Sequence, residues 1–147
     1  MSRIPEGFAA LKMGGEFIGV NGPLYLYHQG SLVKLGFRVE SRHTNPLGIL
    51  HGGMMASFCD MLLPVCAHRL SPQLAHRFLP TISLQIDYLA AVALGAWVEG
   101  EAQVLRETRN IVFIQGLVQA DGVAAARVSG IFKLGAEFPG RQIQEAP

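Results

Sequence analysis

Residues 52–69 constrain this chain more than any other stretch. The run is long enough for about five helical turns, and its side chains are apolar on nearly every side, with Asp60 the sole carboxylate between Gly52 and Ala67. A helix that borders solvent keeps a polar face, whereas one apolar all round belongs in the middle of a fold. The remaining chain must therefore wrap it. A membrane span is the competing solution for residues 46–67, but His51, Asp60, Pro64 and two adjacent glycines lie in that window. A central aspartate alone costs ~2.5–3.5 kcal/mol on insertion scales, so a span is rejected. With 147 residues the chain is read as one domain, 1–147, with 1–18 an N-terminal arm or helix ending near Gly14-Gly15.

The wrapping material is β. Residues 81–88 alternate without a fault, which predicts a strand with Ile82, Leu84, Ile86 and Tyr88 on one buried face. Strands are also expected at 24–28, 32–40, 97–105, 111–120 and 123–134. Asp121-Gly122 joins the last two as a two-residue hairpin. Short connections imply antiparallel neighbours and an α+β class, one helix buried by one antiparallel sheet.

Composition narrows what such a domain can do. Half the residues are hydrophobic and only 16% are charged, against about 25% in typical soluble domains. Disorder is excluded, and a surface this short of charge predicts cover by another subunit. The net charge is +1 with no basic block, so nothing supplies the phosphate neutralisation that nucleic-acid binding needs. Residues 1–17 hold no apolar run of signal-peptide length and no cleavage-site pattern, so they are not expected to act as a secretory leader. Cys59 and Cys66, seven apart on a helix, lie ~10 Å apart, beyond disulfide reach, and two free thiols fit a reducing cytoplasm.

Chemistry concentrates between His43 and Asp60. Gly52-Gly53 open the helix, leaving its first amides unshielded, and a helix N-terminus offers free N–H donors and about half a positive charge to an oxyanion. Close packing alone would also explain the glycines. Asp60 in an apolar run needs a partner or a job: a desolvated carboxylate is a better base at neutral pH, while a structural hydrogen bond is the alternative. Pro64 removes the N–H that would meet the Asp60 carbonyl, which predicts a kink or break there. Histidines 28, 43, 51, 68 and 76 show no metal-ligand spacing, so no metal or cofactor is expected. His68 and His76 read as packing or surface residues. The chain has no G-x-S-x-G elbow, dinucleotide fingerprint or P-loop.

The pattern Asn45-x2-Gly48-x2-His51-Gly52-Gly53-x6-Asp60 resembles the signature of the hotdog-fold acyl-CoA thioesterases, nearest the phenylacetate-pathway branch of the 4-hydroxybenzoyl-CoA thioesterase superfamily. The likeness continues to Tyr88-Leu89-Ala90-Ala91, where the family often carries a proline that this chain lacks. It implies a helix wrapped by a curved sheet, homodimers sharing a continuous sheet and pairing into tetramers, and sites between subunits. By position, Asn45 and the Gly52 amide would polarise the thioester carbonyl, and His51 would shape the loop. Asp60 of the facing subunit would serve as base or nucleophile, and Thr81 would help place water. Met54, Met55, Phe58 and Met61, with Gly53, are candidates to line an apolar acyl pocket, although Met and Phe at helical spacing also suit plain core. Arg106, Arg109 and Arg127 are candidates for the CoA phosphates. Acyl-CoA is the expected partner. A non-catalytic acyl-CoA binder and a hydratase of the same fold are the rival readings; the latter needs a His-Asp or His-Glu arrangement not seen here.

Overall fold

The computed structural model describes residues 3–138 and 144–145. The helix expected at 52–69 runs from Gly52 to Leu70, and Phe58, Cys59, Leu62, Leu63, Val65, Cys66 and Ala67 are wholly buried. Full burial of a large aliphatic or aromatic side chain contributes about 1.5–3 kcal/mol, so this helix carries much of the hydrophobic stabilisation. In chain order the elements are β1 (Ala9–Lys12), α1 (Gly15–Asn21), β2 (Leu24–Gln29), β3 (Leu32–Arg38), α2 (Gly52–Leu70), β4 (Thr81–Tyr88), β5 (Trp97–Glu107), β6 (Ile111–Ala120), β7 (Val123–Lys133) and β8 (Gln144–Glu145).

The strands form one sheet in the order β4-β7-β6-β5-β3-β2-β1-β8, antiparallel at every pairing. It curves about α2, which packs against β3, β4, β5, β6 and β7. This is the expected α+β hotdog architecture. The β6–β7 turn is made as predicted, with Asp121 and Gly122 both at positive φ.

Glycine lets the helix approach the sheet so closely. A Cβ on Gly116 of β6 would stand 2.8 Å from the Glu101 carbonyl oxygen and 3.1 Å from Leu63 Cδ2. One on Gly130 of β7 would stand 2.8 Å from Leu63 Cδ1. The two positions are on adjacent strands, with Ile114 paired to Gly130 and Gly116 to Val128. Leu63 therefore seats in a hollow that any side chain would fill.

Three expectations are corrected. The N-terminal segment is not an arm or helix ending at Gly14-Gly15. Residues 9–12 join the sheet beside β2, and a helix begins where one was expected to end. Gly14 and Gly15 take positive φ, so the glycines make a sharp turn between strand and helix rather than a stop. Second, α2 does not break at Pro64 but continues to Leu70; the burial of Leu62, Leu63, Val65 and Cys66 around this turn outweighs the one missing hydrogen bond. Third, the apolar face of β4 is not buried. Ile82 and Tyr88 are exposed, and Leu84 and Ile86 are half-buried. β4 is the outermost strand, paired only to β7, and its register slips between Thr81 and Ser83. Alternation fixes which residues share a face, not whether anything covers it.

Gly116→Ala is expected to lower unfolding free energy by about 1–3 kcal/mol, the usual cost of overpacking, because the facing carbonyl belongs to backbone and cannot rotate away. Urea denaturation with an unchanged slope and a lower midpoint is the readout.

Candidate functional site

The first turn of α2 must find partners for amides that have none within the helix. His51 is the N-cap, and its Nδ1 accepts from the Gly53 N–H at 2.8 Å. The His51 carbonyl accepts from Met54 N–H (3.0 Å) and Met55 N–H (3.1 Å). Gly52 is left over. Among the described residues its N–H has no acceptor, and the residue is exposed. The peptide units around it are held firmly. Tyr88 Oη donates to the Gly52 carbonyl at 2.8 Å, and the His51 N–H donates to the His43 carbonyl at 2.8 Å. Partial desolvation raises the Tyr88 phenol pKa, and the protonated hydroxyl is a donor.

His43 anchors the loop leading into this turn. It is buried, accepts from Glu40 N–H through Nδ1 (3.0 Å) and donates through Nε2 to the Asn21 carbonyl (2.6 Å). Asn45 then turns the chain: its Oδ1 accepts from Leu47 N–H (2.9 Å) and Ile49 N–H (3.3 Å). With the oxygen occupied, Asn45 has only its Nδ2 donors to offer a ligand. A cavity of about 350 Å³ opens beside Gly52, walled by Met55, Tyr88 and residues 89–92.

A second group of side chains lies further along α2. Thr81 Oγ1, at the start of β4, donates to Asp60 Oδ1 at 2.6 Å. Both residues are exposed, so the expected burial of Asp60 is not met within one chain: the carboxylate projects from the part of α2 that the sheet leaves uncovered. It borders a larger cavity of about 830 Å³ whose walls also include Met61, Pro64, His68 and the turn at Gly14-Gly15. Eight residues at 1.5 Å each separate Gly52 and Asp60 by about 12 Å along the axis. One chain thus presents a donor group and a carboxylate group, each at its own cavity and too far apart to meet on one carbon atom.

The other candidates divide plainly. Met54 and Phe58 are buried core, with the Phe58 ring 5.0 Å from that of Phe37, and line neither cavity. The Gly53 amide is occupied by His51. Of the candidates on α2, Met55 and Met61 do reach cavity walls. Arg127 is held by Asp87 (2.9 and 3.0 Å) near the Tyr88 end of the sheet, while Arg106 and Arg109 are exposed toward the Thr81 end. The alternation places Tyr88 only as a strand residue on a buried face, whereas it is exposed. Its bond to Gly52 spans 36 residues, and no local pattern encodes that. Cys59 and Cys66 are buried and free, each thiol pushed up to about 12 by burial. Among the described residues no cluster of histidine, cysteine and carboxylate side chains could hold a metal ion, and no helix is long and apolar enough to cross a membrane.

The chain is similar to several known proteins. The thioesterase superfamily model matches residues 47–125, which include Gly52, Asp60, Thr81 and Tyr88. A candidate esterase from Pseudomonas aeruginosa is 26% identical over 138 residues, 91% of this chain and 99% of that protein. Acyl-coenzyme A thioesterase 13 from Homo sapiens is 29% identical over 79 residues, 52% of each chain, so the match spans about half of that relative. Among solved structures, zebrafish thioesterase superfamily member 2 superposes with a TM-score of 0.70 at 26% identity, covering 83% of this chain and 87% of that one. By its family match and its fold, the chain belongs to the thioesterase superfamily.

Proposed function

We propose that this protein hydrolyses acyl-CoA thioesters at sites completed by two copies of the chain. The observation that carries the reading is the split already described: a free helix N-terminal amide at Gly52 and a carboxylate at Asp60, about 12 Å apart on one helix. A second subunit brings them together. Its Asp60 and Thr81 would face the Gly52 and Asn45 of the first, and the reciprocal pair would form a second site.

The edge strand supports that assembly. β4 offers one unpaired side, and its eight residues carry exposed Ile82 and Tyr88. An open apolar edge invites pairing, and a two-fold axis there would continue the sheet into the partner. Covering this edge removes water from Asp60, the desolvation that makes a carboxylate a stronger base. Two such dimers would pair into the tetramer.

In the reaction, Asn45 Nδ2–H and Gly52 N–H donate to the thioester oxygen as it gains charge. The facing Asp60, its Oδ1 already bonded to Thr81, takes a proton from water through its other oxygen. The water oxygen attacks the carbonyl carbon. Collapse of the tetrahedral intermediate breaks the C–S bond, and the proton on Asp60 passes to the departing CoA sulfur. Direct attack by the carboxylate, with an anhydride then hydrolysed by water, uses the same placement. The acyl group would lie in the cavity beside Asp60, and the smaller cavity at Tyr88 suits the CoA arm.

Free-thiol release from a panel of acyl-CoAs tests this reading. Asp60→Asn is expected to lower turnover by about two or more orders of magnitude, as loss of a principal acid–base group does. Unchanged turnover would remove Asp60 from the mechanism; tight binding without any turnover would make the protein an acyl-CoA binder. Gly52→Pro isolates the oxyanion donor. Proline suits the first helical position, and His51 already has the extended φ/ψ of −66°/135° that a residue before proline requires. The variant should fold normally, by circular dichroism, yet lose about 10²–10³ in kcat. The shared site has its own signature. Asp60→Asn and Asn45→Ala chains, each inactive alone, should regain about a quarter of wild-type activity when unfolded and refolded together, because half the dimers would hold one intact site. No recovery would place both halves in one chain.

A further inference from the structure

We propose that Tyr88 is a positioning residue for the oxyanion donor: its hydroxyl, bonded to the Gly52 carbonyl, keeps the Gly52 N–H aimed at the thioester oxygen. This rests on the thioesterase reading and adds a residue to it. An amide polarises a carbonyl well only when its direction is fixed before the substrate arrives, because a donor that must first reorient gives back part of what it gains. Glycine is the residue least able to fix its own backbone. Gly52 has no side chain to pack, and it lies at the first position of α2 rather than within it. The order must come from outside the residue.

Hydrogen bonds to residues 51–53 supply it. Tyr88 Oη donates to the Gly52 carbonyl at 2.8 Å, and the Gly53 N–H donates to His51 Nδ1 at 2.8 Å. That carbonyl and that N–H are opposite ends of one peptide plane, so the plane is pinned on both sides. The preceding plane carries the Gly52 N–H, and its carbonyl, that of His51, accepts from Met54 and Met55. The plane before that is tied by the His51 N–H to the His43 carbonyl. The donor therefore belongs to a run of three held peptide units. All of these bonds except the tyrosine's run within residues 43–55. Tyr88 reaches in from the sheet and sets the helix start against a separate element.

The ring packs at the same place. Outside the local chain, Tyr88 Oη, Cε1 and Cζ are the heavy atoms nearest to where a Cβ on Gly52 would stand, at 3.5–3.6 Å. The tyrosine thus fills in for the side chain that Gly52 lacks. Taking away the hydroxyl alone leaves the ring, the pairing of Tyr88 with Ala126 and the Thr81–Asp60 bond at the other end of β4. What the hydroxyl does is therefore separable from what the ring and the strand do.

The test compares Tyr88→Phe with the wild type on the acyl-CoA panel, with circular dichroism to confirm the fold. The expected result is a fall of about tenfold in kcat with KM within about twofold of wild type, the pattern left by losing an interaction made only in the transition state. Polarisation of the carbonyl is read directly from a ketone analogue of the best substrate, with a methylene in place of the sulfur and an isotope label at the carbonyl, which cannot be hydrolysed. Its infrared carbonyl stretch should drop on binding the wild type and return toward its value in water on Tyr88→Phe. A lower urea midpoint with kcat and stretch unchanged would make the bond structural only. A raised KM with kcat unchanged would make Tyr88 no more than a cavity wall. Either result would overturn the proposal and leave hydrolysis standing. So would a lowered kcat with the stretch unchanged, since the hydroxyl would then act away from the donor. No turnover of any thioester by the wild type would overturn hydrolysis and the Tyr88 role together.

Discussion

Enclosure of α2 by the sheet is the constraint from which the rest of this structure follows. A helix apolar on almost every side has to be surrounded, and close seating requires side chains to be missing where strand and helix meet. Gly116 and Gly130 meet that need against Leu63. A helix so enclosed can reach solvent mainly at its ends, and its N-terminal end carries the strongest local donors. The cap then selects among them. His51 takes the Gly53 amide with its side chain, and its carbonyl serves the next two. Hydrogen-bond satisfaction at the helix start, a matter of stability, thereby leaves one donor free at a defined place.

Enclosure by one chain is incomplete, and the gap is where the carboxylate stands. The sheet ends at β4, whose apolar side chains remain largely in contact with water. Asp60 and Thr81 lie along that margin and bond to one another. A carboxylate tolerated in an otherwise apolar helix is explained locally by that exposure and hydrogen bond: in the single chain it is open to solvent. The low charge content of the sequence and the uncovered edge are two expressions of one property, a surface suited to being shared.

Legibility of the fold in the sequence followed the range of the interactions. The long helix, β4 and the β6–β7 hairpin rest on local periodicity and turn chemistry, and their bounds were readable within a residue or two. β1 was not: four residues are too few to establish an alternation, and their strand character comes from pairing with β2. At the site, Asp60 and Gly52 stood out because each is anomalous in its own neighbourhood. Tyr88 did not, since its role depends on a contact 36 residues away. His68 was read as a packing or surface residue, and its burial makes it the former; its bond through Nε2 to the Arg77 carbonyl has no local signal. Met54 and Phe58 were ambiguous between core and pocket because helical spacing is the same for both, and the direction of each side chain decides it.

The neighbour of the carboxylate clarifies which group can perform chemistry. Cys59 adjoins Asp60 in sequence and carries the more nucleophilic atom, so proximity alone would favour a thiolate mechanism. Successive helix residues point about 100° apart, however, and that turn separates an exposed position from a wholly buried one. Burial, with a smaller contribution from the negative charge of Asp60, pushes the Cys59 thiol up to about 12. At neutral pH it is therefore a thiol packed in the core, while the reactive form of cysteine is the thiolate. The same rotation that hides the sulfur presents the carboxylate to the cavity and to Thr81. Of the two neighbours, Asp60 is the one placed for the proposed chemistry, because the helix geometry that makes Cys59 part of the core also denies it charge and access.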